Sequence, residues 1–369
     1  MKRTLTTDAY ERVHTQAKQA GSATFAGEKR EKQGLGLDPL VDPSAHGLIR
    51  RSISWYEPHD EGFILLRGVA MLVETLLDTT GSMGTNVELA MNALLHTYEM
   101  LSKGKNAVLR RYDLQMITAI FGDTRDKYIL NRSQAEMDER IAEQMTLMLP
   151  EKGGAANGKE DPEYGLFGAA YLTNAMINKY GLKRYHFTIS DEPVPDYVEE
   201  DDLVRVFGKT VRDKVKENGY EITGELPTTT QVVADLLKTT HAFFMQVDDR
   251  DDVTECWTKM YGKKRVVMIH DVSLLPQYQA SIIGLTEGTL TLQSLEEFLV
   301  NDGKVESEDA KRIKRAVAGI PIGAQMSLEN FNKIPNKGDY FAKKGDLWTS
   351  AKPEKTEKGK ATGRKKGMW

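Results

Sequence analysis

The sequence lacks the features that mark disulfide-rich, membrane-spanning or nucleic-acid-binding proteins. It contains a single cysteine, Cys256, so no disulfide can form within the chain. Its 50 Lys and Arg residues nearly balance 54 Asp and Glu residues, and a formal net charge of −4 indicates no preference for nucleic acid or membranes. No run approaches the roughly 20 apolar residues that span a bilayer, and the first residues are polar rather than signal-like. We therefore expect a cytoplasmic protein.

Two common catalytic signatures are also missing from the sequence. No Gly-x-x-x-x-Gly-Lys-Ser/Thr loop is present to hold nucleotide phosphates, so we do not expect the chain itself to be an ATPase. The seven histidines show no paired metal-ligand spacing such as His-x-x-x-His, and we expect them to have core or surface roles.

The middle of the chain alternates between strand-like and helix-like segments. Apolar runs of strand length lie at 70–77, 114–121, 127–130, 185–189, 242–247 and 266–269. Helical periodicity between them predicts helices at 87–101, 135–149, 163–177, 202–217, 230–239 and 253–261. Ser133 and Glu136 have the spacing of a capping box for the second helix. The alternation predicts an α/β fold with a doubly wound, mostly parallel six-stranded sheet covered by helices on both faces.

The regions that flank this core differ from it in composition. We predict a partly extended N-terminal leader over residues 1–58, the α/β domain over 59–290, and a C-terminal helical extension over 291–335. Residues 336–369 are predicted to form a flexible basic tail. Its Lys352 to Lys366 stretch carries seven basic residues, so contact with an acidic protein or with nucleic acid stays open there.

A polar motif, Asp78-Thr79-Thr80-Gly81-Ser82, follows the first strand-like run directly. This position places Asp78, Thr80 and Ser82 at the carboxyl end of a buried strand, where open α/β sheets bind ligands. Carboxylate and hydroxyl oxygens are hard ligands that suit Mg²⁺ or Mn²⁺ and suit zinc or copper poorly. The sequence therefore predicts a divalent cation site.

The motif resembles the Asp-x-Ser/Thr-x-Ser signature of von Willebrand factor A (vWA) domains, which carry a metal ion-dependent adhesion site at the top of their first strand. Asp191 ends another strand-like run and is similar to the second acidic corner of that family, where an Asp reaches the metal through water. The resemblance covers roughly residues 60–290. It implies that Thr80 and Ser82 bind the cation directly, while Asp78 and Asp191 hold it largely through water.

The vWA site also takes an oxygen from a middle loop, usually from a Thr, and here the sequence departs from the family. The corresponding loop, 153–163, contains no Thr. Asp161 is the candidate in this loop and Asn157 is the second choice, while Thr124, after another strand, is a rival. Asp161 has an alternative interpretation as an ordinary helix cap before Pro162.

The resemblance implies a metal-dependent protein-binding module rather than an enzyme. A cation with mostly neutral ligands keeps positive charge, so a partner's Asp or Glu can fill its open position. Intracellular bacterial members resemble adaptors that work with MoxR-type AAA+ ATPases, and we expect such a partner. Two alternatives stay open. One is a structural or assembly protein of a phage or large particle. The other is a Mg²⁺-dependent phosphohydrolase, although this class needs a second Asp where Thr80 stands.

Overall fold

The computed structural model describes residues 26–46, 56–59, 62–65, 68–102, 107–137, 140–150, 160–336 and 338–341. Its strands are β1 Tyr56–His59, β2 Gly62–Leu65, β3 Ala70–Asp78, β4 Asp113–Phe121, β5 Leu130–Arg132, β6 Arg184–Ser190, β7 Thr240–Val247, β8 Val266–Ile269 and β9 Tyr340–Phe341. Six of them form the central sheet in the order β5-β4-β3-β6-β7-β8. Adjacent strands of this sheet are parallel, except that β5 pairs antiparallel with β4.

Helices cover both faces of the central sheet. The described helices are α1 Ala26–Lys32, α2 Asn86–Ser102, α3 Arg140–Leu147, α4 Glu163–Tyr171, α5 Glu200–Phe207, α6 Val211–Glu217, α7 Thr229–Thr239, α8 Asp251–Tyr261, α9 Leu275–Glu287, α10 Leu295–Asn301 and α11 Ser307–Val317. Helix α1 packs on α3 rather than on the sheet. One core lies between the sheet and α2, α3, α9, α10 and α11, and a second core lies between the sheet and α4 to α8. The doubly wound, mostly parallel α/β fold is therefore confirmed.

The central strands are apolar almost throughout because each of their faces is covered by helices. All nine residues of β3 are buried. Side chains alternate between the two cores along a strand, as Phe243 and Phe244 of β7 do. This alternation also places Glu74 and Asp78 of β3 on the same face of the sheet, which is the face covered by α4.

The predicted capping box at Ser133 is wrong, and the helix after it is shorter than expected. Glu136 forms an antiparallel bridge with Met116 of β4, so this segment continues the edge of the sheet. The Ser133 hydroxyl accepts a hydrogen bond from the Thr118 backbone N–H rather than capping a helix. The described helix α3 begins only at Arg140.

Two other predicted helices are interrupted in the structure. The helix expected over 163–177 ends at Tyr171, and a separate 3₁₀ turn, Met176–Tyr180, follows it. The helix expected over 202–217 is divided into α5 and α6 at Gly208, whose φ of 82° is outside the helical range.

Helix α9 was not predicted at all. Leu275 to Glu287 are buried almost throughout, since α9 packs between the sheet and the C-terminal helices, so they show no polar face with a helical period. Gly288, with a φ of 74°, ends the helix in the left-handed region.

The flanking segments contact the α/β core. Val41 is fully buried, and its carbonyl oxygen accepts a hydrogen bond from the Arg132 N–H of β5. Strands β1, β2 and β9 form a small antiparallel sheet in which Phe63 pairs with Phe341. The candidate ligand Asn157 and the predicted basic tail beyond Phe341 lie outside the described residues. Among the described helices, none combines the length and the apolar character that a membrane crossing requires.

Candidate metal centre

Asp78 lies at the end of β3 and is held by hydrogen bonds from two strand ends. Its Oδ1 accepts from the Thr80 backbone N–H at 2.9 Å and from the Thr80 hydroxyl at 2.7 Å. Its Oδ2 accepts from the Ser190 hydroxyl at 2.6 Å, and Ser190 ends the neighbouring strand β6. The Asp78 carboxylate is therefore completely buried and fixed in orientation at the carboxyl edge of the sheet.

The predicted residues Thr80, Ser82 and Asp191 continue this chain of oxygens. The Ser82 hydroxyl donates to Asp191 Oδ1 at 2.9 Å, and the oxygens of Thr80 and Ser82 are 3.2 Å apart. Because Thr80 directs its proton to Asp78 and Ser82 directs its proton to Asp191, the two hydroxyl oxygens face each other with lone pairs. Adjacent oxygens around an octahedral Mg²⁺ are about 2.9 Å apart, since each metal–oxygen bond is about 2.0–2.1 Å. The 3.2 Å between the Thr80 and Ser82 hydroxyl oxygens is close to this spacing.

Hydrogen bonds from Arg250 and Trp257, at the start of α8 and within it, fix the turn that contains Asp191. The Arg250 guanidinium donates to the Asp191 carbonyl oxygen at 3.2 Å and to Glu192 Oε1 at 2.7 Å. The Trp257 indole N–H donates to the Glu192 carbonyl oxygen at 3.0 Å. These bonds engage the backbone and the neighbouring side chain, so the Asp191 carboxylate stays directed at Ser82.

The middle loop brings a different acid to the site from the one that the sequence suggested. The Asp161 carboxylate accepts a hydrogen bond from the Thr124 backbone N–H at 2.5 Å, so these two predicted alternatives contact each other. Pro162, and not Asp161, is the N-cap residue of α4, so the interpretation of Asp161 as the helix cap is wrong. Glu160, which the sequence analysis did not select, reaches the Thr80 side chain and is only 6% exposed.

The acids at this edge repel one another and are poorly compensated. Burial raises the pKa of Asp78 to about 7, although its hydrogen bonds oppose this. Burial also raises the pKa of Glu160 to about 9, and the charges of Asp78, Asp123 and Asp161 add to that effect. The pKa of Asp191 is raised as well, chiefly by burial. A divalent cation would relieve both causes, because it supplies positive charge to groups that have lost water.

Two acidic side chains at this edge each have a buried oxygen without a hydrogen-bond partner in the part of the chain that the structure describes. The Oε2 of Glu160 and the Oδ2 of Asp123 are buried and have no hydrogen-bond partner among the described residues. Buried carboxylate oxygens without a partner are costly in a folded protein. Within the described ranges, no three His, Cys, Asp or Glu side chains converge on one metal position by themselves. A cation here would depend on the hydroxyl oxygens of Thr80 and Ser82, which fits the predicted oxygen-rich set.

Helix α4 approaches the site closely because Gly165 has no side chain. A Cβ at Gly165 would lie 2.5 Å from a methyl group of Leu76, two residues before Asp78 on β3. This contact brings the start of α4, and with it Glu160 and Glu163, against the end of β3. The Glu163 carboxylate is buried and its pKa is raised well above the usual value, mainly by burial.

A second buried charge cluster lies four residues deeper along β3. Glu74 Oε1 accepts from Arg132 Nε at 2.8 Å, and its Oε2 lies 3.5 Å from Arg184 Nη1 and 3.6 Å from His186 Nδ1. Burial favours the neutral acid, but the charges of Arg132, His186 and Arg184 outweigh it and lower the pKa of Glu74 to about 2. Glu74 Oε2, Arg184 Nη1 and His186 Nδ1 make no hydrogen bond to described residues, so the cluster is balanced by charge rather than fully hydrogen-bonded. Its acid has basic side chains of the same chain within ion-pair distance, which the acids at the strand end lack within the described ranges.

Ser190, Glu160 and Glu74 were not predicted as site residues from the sequence, for different reasons. Ser190 was part of the strand-like run before Asp191, and its position at the strand end was the available signal. Glu160 lies beside Asp161 in a polar loop, and the sequence alone does not tell which of the two carboxylates faces Thr80. Glu74 is a charged residue in the middle of a buried apolar strand, and this position was a signal that a partner should be sought.

Comparison with known proteins gives only remote similarities. No protein-family model matches the chain, and no curated protein does. The pilus adhesin SpaC from Lactobacillus rhamnosus GG is 13% identical, with 63% of this chain and 34% of that chain covered and a TM-score of 0.37. Proximal thread matrix protein 1 from the mussel byssus is 10% identical, with 59% and 48% covered and a TM-score of 0.35.

A von Willebrand factor type A structure from Catenulispora acidiphila is also similar. It is 11% identical, with 65% of this chain and 48% of that chain covered and a TM-score of 0.31. The chain thus spans about a third to a half of the length of these structures. At such scores the similarities carry no argument about function, and the description of the fold rests on the strand order of the sheet itself.

Proposed function

We propose that this protein is a metal-dependent protein-binding module. In this proposal Mg²⁺ or Mn²⁺ is held by the Thr80 and Ser82 hydroxyl oxygens, with Asp78 and Asp191 as the acids around it. The observation that carries the proposal is the pair of hydroxyl oxygens 3.2 Å apart, whose protons are directed away to Asp78 and Asp191. Lone pairs arranged in this way are suited to a hard cation.

A protein partner that offers Asp or Glu is the second part of the proposal. Ser82 is exposed while Asp78 and Thr80 are buried, so the cation would be reached from the Ser82 side. An incoming carboxylate gains a charge-assisted bond to the cation in a site from which most water is excluded. The family resemblance, rather than any contact in the structure, suggests a MoxR-type AAA+ ATPase as the partner.

The proposal assigns no chemical reaction to the site. Thr80 occupies the position where a phosphohydrolase of the Asp-nucleophile class would need its second acid. The assembly-protein alternative differs from the binding proposal in one measurable respect, because it does not require the cation. The two can be separated by whether the partner depends on metal.

A capture experiment with the full chain tests the proposal. Protein carrying Ser82→Ala loses one direct oxygen ligand, so it should retain its partners about as poorly as the wild type does in a chelator. Asp249→Asn is the matched control, since Asp249 is an exposed acid that is not among the proposed ligands, and it should retain them normally. If Ser82→Ala and the chelated wild type both retain the same partners as well as the wild type does with Mg²⁺, the partners do not depend on the cation. That result would favour the assembly role.

A further inference from the structure

The two hydroxyl ligands of the proposed cation differ in exposure. Ser82 is exposed to solvent, whereas Thr80 is only 1% exposed. The Thr80 side of the cation position is therefore already covered by the protein. Whatever covers it decides how many positions of a bound cation remain for water or for a partner.

One of the groups on the Thr80 side is the carboxylate of Glu160. This side chain reaches the Thr80 side chain and is 6% exposed. The backbone of Glu160 is tied to the Asp191 corner, because its N–H donates to the Pro193 carbonyl oxygen at 3.4 Å. The neighbouring Asp161 is tied to the opposite side, since its carboxylate accepts from the Thr124 N–H. The two tethers direct Glu160, and not Asp161, toward Thr80.

One oxygen of Glu160 has no partner to satisfy it. Its Oε2 is buried and has no hydrogen bond to any residue that the structure describes. A buried carboxylate oxygen in this state, on a side chain that interacts with Thr80, is suited to bind a cation held there.

Glu160 also changes the charge balance of the proposed site. Asp78 and Asp191 alone would neutralise a divalent cation, and a third carboxylate gives the site a net negative charge. A net negative site repels an incoming carboxylate, whereas a neutral or positive one attracts it. The presence of Glu160 therefore opposes the capture of a partner's Asp or Glu.

We propose that Glu160 is a built-in carboxylate ligand of the cation that competes with the partner's carboxylate. This inference rests on the proposed function, because it requires a cation at Thr80 and Ser82. Glu160 holds the Thr80 side of the cation in the free protein, so the partner must either displace Glu160 or bind only from the Ser82 side. The side chain thereby sets how strongly the module binds.

The proposal can be tested with Mn²⁺ as the probe in the full chain. Water-proton relaxation of the Mn²⁺-loaded protein reports the number of water molecules on the metal. Glu160→Ala should add about one coordinated water and weaken Mn²⁺ binding about tenfold or more, since a charged ligand is lost. Acetate, used as a simple carboxylate, should then bind the loaded variant more tightly than the loaded wild type. Glu160→Asp, which keeps the charge, should restore Mn²⁺ affinity in part.

Asp161→Asn is the matched control, because it neutralises the adjacent acid while retaining an oxygen for the Thr124 N–H. Unchanged hydration and acetate binding in this control support the proposal, and unfolding midpoints without metal verify that all variants are folded. If Glu160→Ala has the hydration and acetate affinity of the wild type, or if Asp161→Asn gives the increase instead, Glu160 is not the ligand. In both cases Mn²⁺ still binds and the proposed function stands. Absence of Mn²⁺ binding by the wild type would overturn both.

Discussion

Two acids on the same face of β3 have opposite surroundings although both are buried. Glu74 is 1% exposed and lies among Arg132, Arg184 and His186, while Asp78 is 0% exposed and lies among hydroxyls and other acids. The pKa of Glu74 is lowered to about 2 and that of Asp78 is raised to about 7. Burial acts in the same direction on both, so neighbouring charge decides the difference.

Glu74 is an acid whose charge is balanced within the fold, whereas Asp78 is an acid of the proposed binding site. At Glu74 the chain supplies its own cations, so the charges are balanced once the protein has folded. At the carboxyl edge of the sheet the acids outnumber the nearby basic side chains, and this is the imbalance that the proposed cation would relieve. The sheet therefore contains a closed ionic cluster in its interior and an open one at the edge where doubly wound folds bind ligands.

The largest effect is expected from removing the negative charge of the closed cluster. Glu74→Gln leaves Arg132 and Arg184 buried without their counter-charge, and breaking a buried ion pair in this way costs about 3–5 kcal/mol. Chemical denaturation at neutral pH measures this loss. Glu200→Gln is the matched control, because it removes the carboxylate from an exposed ion pair, that of Glu200 with Arg212. This change should lower the free energy of unfolding by less than about 1 kcal/mol.

The stability lost in Glu74→Gln should depend on pH. A lowered pKa means that the charge of Glu74 contributes stability above its ordinary value of 4.5, and that this contribution is lost as the pH falls toward about 2. The stability difference between wild type and Glu74→Gln should therefore shrink between those values. A difference that stays constant over this range would contradict the paired-charge account.

A smaller effect of the opposite sign is expected at Glu287, a buried acid on the other face of the sheet. Its carboxylate accepts hydrogen bonds from the Tyr185 hydroxyl at 2.7 Å and the Tyr112 hydroxyl at 3.0 Å, and burial raises its pKa to about 7. The stability that this group contributes is present below 4.5 and is lost as the pH rises through about 7. Glu287→Gln should therefore gain stability relative to the wild type over that interval, as urea titrations at several pH values would measure.

If Glu287→Gln instead loses stability relative to the wild type as the pH rises, the neighbours of Glu287 stabilise its ionised form fully. These neighbours are the Tyr185 and Tyr112 hydroxyls, the charge of Arg111 and the side chain of Gln325. That outcome would contradict the view that burial governs the acids of this protein that lack an ion pair.

The fold was predictable to the extent that local periodicity reflected burial. Strand β8 was predicted with its observed bounds, Val266–Ile269, because a short apolar run between turns has few alternatives. Helix α9 was missed because it is buried almost all round and shows no polar face. At Ser133 a helix start was predicted where none exists. Ser133 and Glu136 have the spacing of a capping box, but both residues bond to β4 and extend the edge of the sheet.

The candidate site was predictable where it lies on strand ends and less so where it lies on a loop. Asp78, Thr80, Ser82 and Asp191 do come together in the structure, because strand ends of a parallel sheet meet at one edge. Their role as metal ligands stays a prediction. The choice between Glu160 and Asp161 depends on tethers from Pro193 and Thr124, which are distant in sequence, so no local pattern could make it.

The central claim is that the open acidic cluster at the end of β3 binds a divalent cation. Thermal unfolding of the full chain with and without Mg²⁺ tests it most directly, comparing the wild type with Asp78→Asn. We expect Mg²⁺ at ten times its dissociation constant to stabilise the wild type by about 1.4 kcal/mol, since a ligand that binds only the folded state raises stability by linkage. We expect no stabilisation of Asp78→Asn at the same concentration. An equal rise in the unfolding midpoint of both proteins, or no rise in the wild type up to millimolar Mg²⁺, would contradict the account.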